Sequence, residues 1–471
     1  MKIYLINPDY MLYANAPLGL AYLASYIRQK FPKISVKILD QMPEKQMLAL
    51  LKEEQPEIIG LTSVSENWFM VKRLGEEIKK VSGKSRLIIG GVHVTTFPKC
   101  FEKSVFDYGI LGEGEISLSN IIELIKDKKE DKKSLRKLKG LIFREDKKVI
   151  NTGIAEQIKD LNEIPPPAFD LLNMKYYSLP NISSGFQKSF VILTSRGCPY
   201  KCTFCSSSCF WERKIRFFSA ERVTDEIEML YKKYGFDTIE IGDDLFSINE
   251  ERLKSILTGL KNKGLIGKIR FRCTARANNF NESIAKLLKE MGVYLIAFGF
   301  ESGSDKELKW LKGESVSVEL NKKAVEICKK YGMIAFGFFM IGSPYETIED
   351  MKKTQKFIKE NCRNNFAIYQ TIAYPGTDVW DYAVKNKIIE ENIFERETKE
   401  FLASDIQHLL TREVSKEEFK KIYEDIRSLQ LKRKRRDIIK SIRLKNIPSL
   451  FNVTFIKKIW NLRGRFLNRI K

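Results

Sequence analysis

No run of about 20 consecutive apolar residues occurs in this chain, so no segment is suited to span a bilayer as a helix. The opening MKIYLINPDY reads as a strand entering a loop and lacks the basic start and apolar stretch of a secretory leader. Both absences point to a cytoplasmic chain with reduced cysteines. Histidine is scarce: His93 and His408 are the only two. Acids nearly vanish at the end. From Gln430 to Lys471, fourteen Lys or Arg stand against one acid, Asp437, a net +13 of the chain's +22. The rest carries only +9, so the basic character belongs to the tail.

What is present is 43% hydrophobic residues in 471, enough for two or three domains. Over residues 1–140, short apolar runs such as KIYLIN (2–7), EIIGLTSV (57–64) and RLIIGG (86–91) alternate with amphipathic stretches. That pattern predicts a parallel sheet covered on both faces, with ligand loops at the strands' carboxyl ends. Residues 126–148 are charged and read as solvated. Residues 141–183, with PPP at 165–167, read as a linker. Over 184–405 a unit of amphipathic helix, glycine and apolar strand recurs, with Ser219 and Ser317 as N-caps. It predicts a partial (β/α) barrel with its chemistry at the strand ends. Residues 406–471 form a helical region with a basic tail, making the whole an α/β protein.

RGCPYKCTFCSSSC (196–209) holds four of the eight cysteines. Cys198, Cys202 and Cys205 are spaced C-x3-C-x2-C, and the segment follows the strand FVILTS (190–195). Three thiolates can ligate three irons of a [4Fe–4S] cube and leave the fourth open. Cys209 extends the run, so a four-cysteine zinc scaffold is the competing reading. The scattered Cys100, Cys273, Cys328 and Cys362 read as small core residues.

The cysteine spacing resembles the radical S-adenosylmethionine (SAM) superfamily. The resemblance implies a cluster on Cys198, Cys202 and Cys205 that cleaves SAM to a 5′-deoxyadenosyl radical, fed by a reductant such as flavodoxin or ferredoxin. It implies an adenine contact at Phe204. "EIGDDLF" (240–246) supplies Gly242, Asp243 and Asp244 for the SAM amino group, and Arg276 in "CTARANN" is suited to its carboxylate. Glu301 and Ser302 in "FGFESGS" are suited to ribose hydroxyls or other polar SAM groups.

The first domain resembles the cobalamin-binding, Rossmann-like domain of one branch of that superfamily, through APLGLAYLASYI (16–27), IIGGVHVTTFP (88–98) and FDYGILGEGE (106–115). This implies cobalamin near Gly90, Gly91 and His93. The cobalt-ligating Asp-x-His-x-x-Gly segment is missing, since the matching region reads NPDYMLYANAPLG. The implied reaction is methylation, ring formation or rearrangement at an unactivated carbon of a small, hydrophobic substrate. A nucleic-acid-modifying, methylthiotransferase-like enzyme is the other reading. Against it, the N-terminal region contributes only Cys100. In the tail, Ile456, Ile459, Trp460 and Leu467 form an apolar stripe among basic residues. This suits an anionic membrane surface. Packing on the body or binding nucleic acid are the alternatives.

Overall fold

The computed structural model describes residues 1–8, 16–146, 148–177, 188–362, 364–396 and 408–441, with side chains to residue 430. Two sheets organise them. The first contains β1 (Lys2–Ile6), β2 (Ser35–Leu39), β3 (Ile58–Thr62), β4 (Arg86–Gly90), β5 (Tyr108–Ile110), β6 (Leu141–Glu145) and β7 (Lys148–Asn151). Their order is β2-β1-β3-β4-β5-β6-β7; the first five run parallel and the last two antiparallel. β1, β3 and β4 are buried almost throughout, because helices cover both faces of the sheet. Strand order reverses between β1 and β3, which opens a crevice at their carboxyl ends. The sheet continues to Asn151. Residues 126–148 are therefore not solvated throughout: Leu141, Ile142 and Phe143 are buried in β6.

The second sheet is β8 (Ser189–Ile192), β11 (Thr238–Ile241), β12 (Arg270–Ala275), β13 (Val293–Glu301), β14 (Ile334–Ile341) and β15 (Phe366–Gln370), parallel in that order. It curls into a half-barrel. A short hairpin, β9 (Ser195–Arg196) and β10 (Arg216–Phe217), stands between β8 and β11. β14 alternates open and buried residues, since helices cover only its outer face. The helix–glycine–strand units have the expected local chemistry. Ser219 caps the helix Ala220–Tyr234, which ends at the left-handed Gly235 (φ +71°). Ser317 caps Val318–Lys330 in the same way.

One apolar core runs through both sheets, from Ile3 to Ile426. A second lies on the opposite face of the first sheet, where Trp68 and Val71 meet Val379, Trp380 and Phe394 from late in the chain. Cys100, Cys273, Cys328 and Cys362 are buried free thiols in these cores. Among the described residues no helix is long and apolar enough to cross a membrane. The helix Lys416–Ser441 leads into the basic tail, whose apolar stripe lies outside the described residues.

Candidate active site

The hairpin β9–β10 launches the cysteine loop. Gly197 turns the chain with φ +92°, and a Cβ there would stand 2.1 Å from the Lys214 carbonyl oxygen. Cys198, Cys202 and Cys205 are half-buried free thiols. The loop is gripped from two sides. The Thr203 amide donates to Leu311 O at 3.0 Å, and the Val379 amide donates to Thr203 O at 3.1 Å. Phe204 packs half-buried on the second core. Burial pushes the Cys198 thiol up and the Cys205 thiol up to about 12. Without a metal these sulfurs therefore stay protonated, and binding one releases their protons.

Cys209 is turned elsewhere: its thiol donates to the Gly376 carbonyl. Among the described residues no three His, Cys, Asp or Glu side chains converge on a single metal ion. Zinc needs its sulfurs about 2.3 Å from one point, whereas a cubane spreads its ligands over separate irons. The donor set fits the cubane better than the zinc scaffold. A polar cleft of about 460 Å³ opens beside the loop, lined by Lys201, Cys202, Cys209, Arg213 and Gly376 among others.

The ends of the barrel strands surround the loop. Arg276, at the end of β12, donates from Nη1 to Cys202 Sγ at 3.2 Å and from Nη2 to the Lys312 carbonyl at 2.9 Å. Its guanidinium lies 4.0 Å from the Tyr200 ring centroid. Glu301 ends β13 at a break in register with β14 and holds φ +59°, a backbone state costly for a residue with a side chain. Burial raises its carboxyl, opposed by Lys312 with Nζ 3.5 Å away.

The two aspartates after β11 divide. Asp243 is buried and accepts from the Thr194 amide and Ser195 Oγ, each at 2.6 Å, and from Thr194 Oγ1. It ties the ends of β8 and β11 together and has no oxygen left for a ligand. Asp244 is exposed and accepts from Ser207 Oγ at 2.9 Å, within the cysteine loop. Gly242 lets the backbone come close: a Cβ would meet Val191 at 2.8 Å. Ser302 is fully buried and bonded to Thr354 Oγ1 at 3.0 Å and the Ser304 amide at 3.1 Å, so its hydroxyl faces structure rather than the open site. Lys312, beside both Arg276 and Glu301, carried no signal in the sequence; a lysine ending a helix looks like ordinary surface.

At the first sheet's carboxyl edge, Gly91 has φ +102°, and a Cβ would sit 2.4 Å from Ser63 O. A Cβ on Gly90 would meet nothing nearer than Ile110, 3.7 Å away, so glycine's smallness leaves a space that a flat ring can use. His93 departs from expectation. It is fully buried, hydrogen-bonded through Nδ1 to Ser65 Oγ at 3.0 Å and enclosed by the rings of Trp68, Phe97 and Phe394. Burial lowers its pKa to about 3, making it a neutral core residue rather than a group open to a cofactor.

Residues 192–358 match the Radical SAM superfamily, and residues 11–122 match the B12 binding domain. An uncharacterized methyltransferase of Pyrococcus horikoshii is 33% identical over 406 residues, covering 85% of each chain. The chain belongs to the radical SAM superfamily, in its B12-binding branch. This radical SAM enzyme is also 24% identical to an anaerobic magnesium-protoporphyrin IX monomethyl ester cyclase of Cereibacter sphaeroides, over 76% of this chain and 59% of that one. Its fold is shared with the radical SAM methyltransferase TsrM of Kitasatospora setae, solved with cobalamin and a [4Fe-4S] cluster bound. The TM-score is 0.69 at 17% identity, over 82% of this chain and 78% of that one.

In this radical SAM enzyme the two matched regions meet at the cysteine loop. Arg196, two residues before Cys198, donates to Glu113 Oε1 and Glu115 Oε1 at 2.7 Å each. Arg216, its partner across the hairpin, donates to both Glu113 oxygens at 2.8 and 2.9 Å. Burial alone would raise the Glu113 carboxyl; Arg216 and Arg196 outweigh it and hold it below its usual range.

Proposed function

We propose that the chain is a cobalamin-dependent radical SAM methyltransferase acting on an unactivated carbon of a small molecule. Cys198, Cys202 and Cys205 hold the [4Fe–4S] cluster, SAM lies against Phe204, Gly242, Asp244, Arg276 and Glu301, and Gly90 and Gly91 border the corrin. When bound, the cluster supplies the electron that breaks a sulfonium C–S bond, and the corrin carries a methyl group. The chain's own residues bind and orient. Arg276, braced by Tyr200 and the Lys312 carbonyl, presents a fixed cation suited to a carboxylate. Asp244 offers a carboxylate to an ammonium group. Asp243 holds the two strand ends in register, and Ser302 does the same between β13 and the helix Ile348–Phe357.

The observation that carries this reading is the sorting of the clustered thiols: three share the loop's grip at the strand ends, while the fourth is spent on Gly376. Anaerobically purified protein should contain about four irons with labile sulfide and retain added hydroxocobalamin. With SAM and dithionite it should yield 5′-deoxyadenosine and S-adenosylhomocysteine. Cys202→Ala should abolish 5′-deoxyadenosine; undiminished formation would refute the ligand set. The cyclase relative favours ring formation as a second reading, which predicts 5′-deoxyadenosine without S-adenosylhomocysteine. A low-potential flavodoxin or ferredoxin supplies the electron. The basic tail rests on an anionic membrane surface, so deleting residues 430–471 should abolish co-flotation with phosphatidylserine vesicles.

A further inference from the structure

Glu113 and Glu115 stand at the turn after β5, in the "GEGE" stretch that the proposed cofactor roles leave unused. They belong to the first sheet, yet both point across the boundary between the matched regions at one guanidinium, Arg196. All four members of this network are buried, with side-chain exposures of 6, 4, 7 and 12% for Glu113, Glu115, Arg196 and Arg216. The two anions balance the two cations, as a desolvated ion network requires. Arg196 also lies over the Tyr22 ring, which stacks on Phe218 beyond β10. The network therefore grips both strands of the hairpin that launches the cysteine loop.

The same turn reaches the other proposed cofactor site. The Gly112 amide donates to Thr95 Oγ1 at 3.0 Å, in the short helix Val92–Thr96 that follows Gly91. From Gly91 to Cys198 there is thus a short chain of contacts: helix, turn, carboxylates, Arg196, Gly197. We infer that Glu113 and Glu115 are positioning residues that fix the cysteine loop relative to the glycine edge of the first sheet, and so set the separation and orientation of the two metal cofactors. The inference rests on the reading that a cluster and a corrin bind at these two places. A bidentate guanidinium suits the task, because two parallel bonds fix direction as well as distance.

The test uses the full chain reconstituted with iron, sulfide and hydroxocobalamin, then partly reduced to give cob(II)alamin beside a reduced cluster. The relaxation of the cob(II)alamin electron spin is accelerated by the cluster to a degree that falls steeply with separation. In the double variant Glu113→Gln/Glu115→Gln this enhancement should drop at least twofold, while iron and corrin contents match the parent. Arg196→Lys, which keeps the charge but not the fork, should give an intermediate drop. Full iron and corrin with parental enhancement in both variants would overturn the inference. If the double variant fails to fold, Arg196→Lys alone decides. If the parent retains no corrin, the cofactor reading fails separately. The cluster's EPR change on adding SAM then tests the carboxylates: altered in the variants under this inference, parental if the network is mere scaffolding.

Discussion

Glu226 lies on the inner face of the helix Ala220–Tyr234, buried, with Oε1 lacking a hydrogen-bond partner. Burial raises its pKa to about 8, only partly opposed by Arg222. The folded carboxyl therefore holds a proton that the unfolded chain, titrating near about 4.3, gives up. With the folded value above the unfolded one, the stabilising contribution is complete below the unfolded value and is lost as pH rises through about 8. Urea midpoints should fall between about pH 5 and pH 8, by at most about 5 kcal/mol in free energy. Glu226→Gln should flatten that slope, and an unchanged slope would assign it to other groups. At this scale the sequence was legible where chemistry is local. The cysteine spacing and the caps Ser219 and Ser317 are set by neighbours within a few residues. Asp243 and Asp244 are different: adjacent and alike in sequence, they are separated by Thr194, 49 positions away from Asp243. His93 follows a glycine pair and reads as a loop residue, until Phe394 closes over it from far along the chain.

Among the elements, the Ala220–Tyr234 helix has a second duty. Arg222 donates to the carbonyls of Leu161 and Pro165, each at 3.1 Å, and to that of Ile164. Its cation also lies 4.2 Å from the Phe218 ring centroid. The stretch before the prolines is thereby stapled to the half-barrel, with Leu161 and Ile164 fully buried. Arg222→Met keeps the packing stem but leaves these carbonyls without a donor. It should cost about 2–4 kcal/mol in denaturant unfolding; a loss below about 0.5 kcal/mol would mean the carbonyls find water instead. Helix and strand runs were visible from periodicity, because each needs only its own apolar stripe. β6 was hidden by its surroundings: three buried residues sit between charged flanks, and only pairing with β5 makes them a strand.

Across the whole molecule, the two sheets share a core instead of standing as separate bodies. Residues 379–394 also cover the first sheet's other face. Unfolding should therefore be one transition, with Trp68 fluorescence and far-ultraviolet dichroism changing together. Two resolved steps would show that the sheets fold independently. The order of strands in each sheet followed from the alternation of elements, but the docking of the late chain on the early sheet did not. Composition carries no record of which of two apolar faces meets which.

The hairpin beneath the cysteine loop has a consequence for handling the metal-free chain. It pairs only two residues with two, and on its return Glu212 and Arg213 sit in succession at φ +52° and +56°. Each left-handed residue costs roughly 1–2 kcal/mol, so a loop emptied of its metal should relax there first. Arg213 is exposed and is a trypsin site. Limited digestion should nick the apo chain at this bond and spare it once iron is loaded, giving a gel assay of loading that needs neither substrate nor turnover.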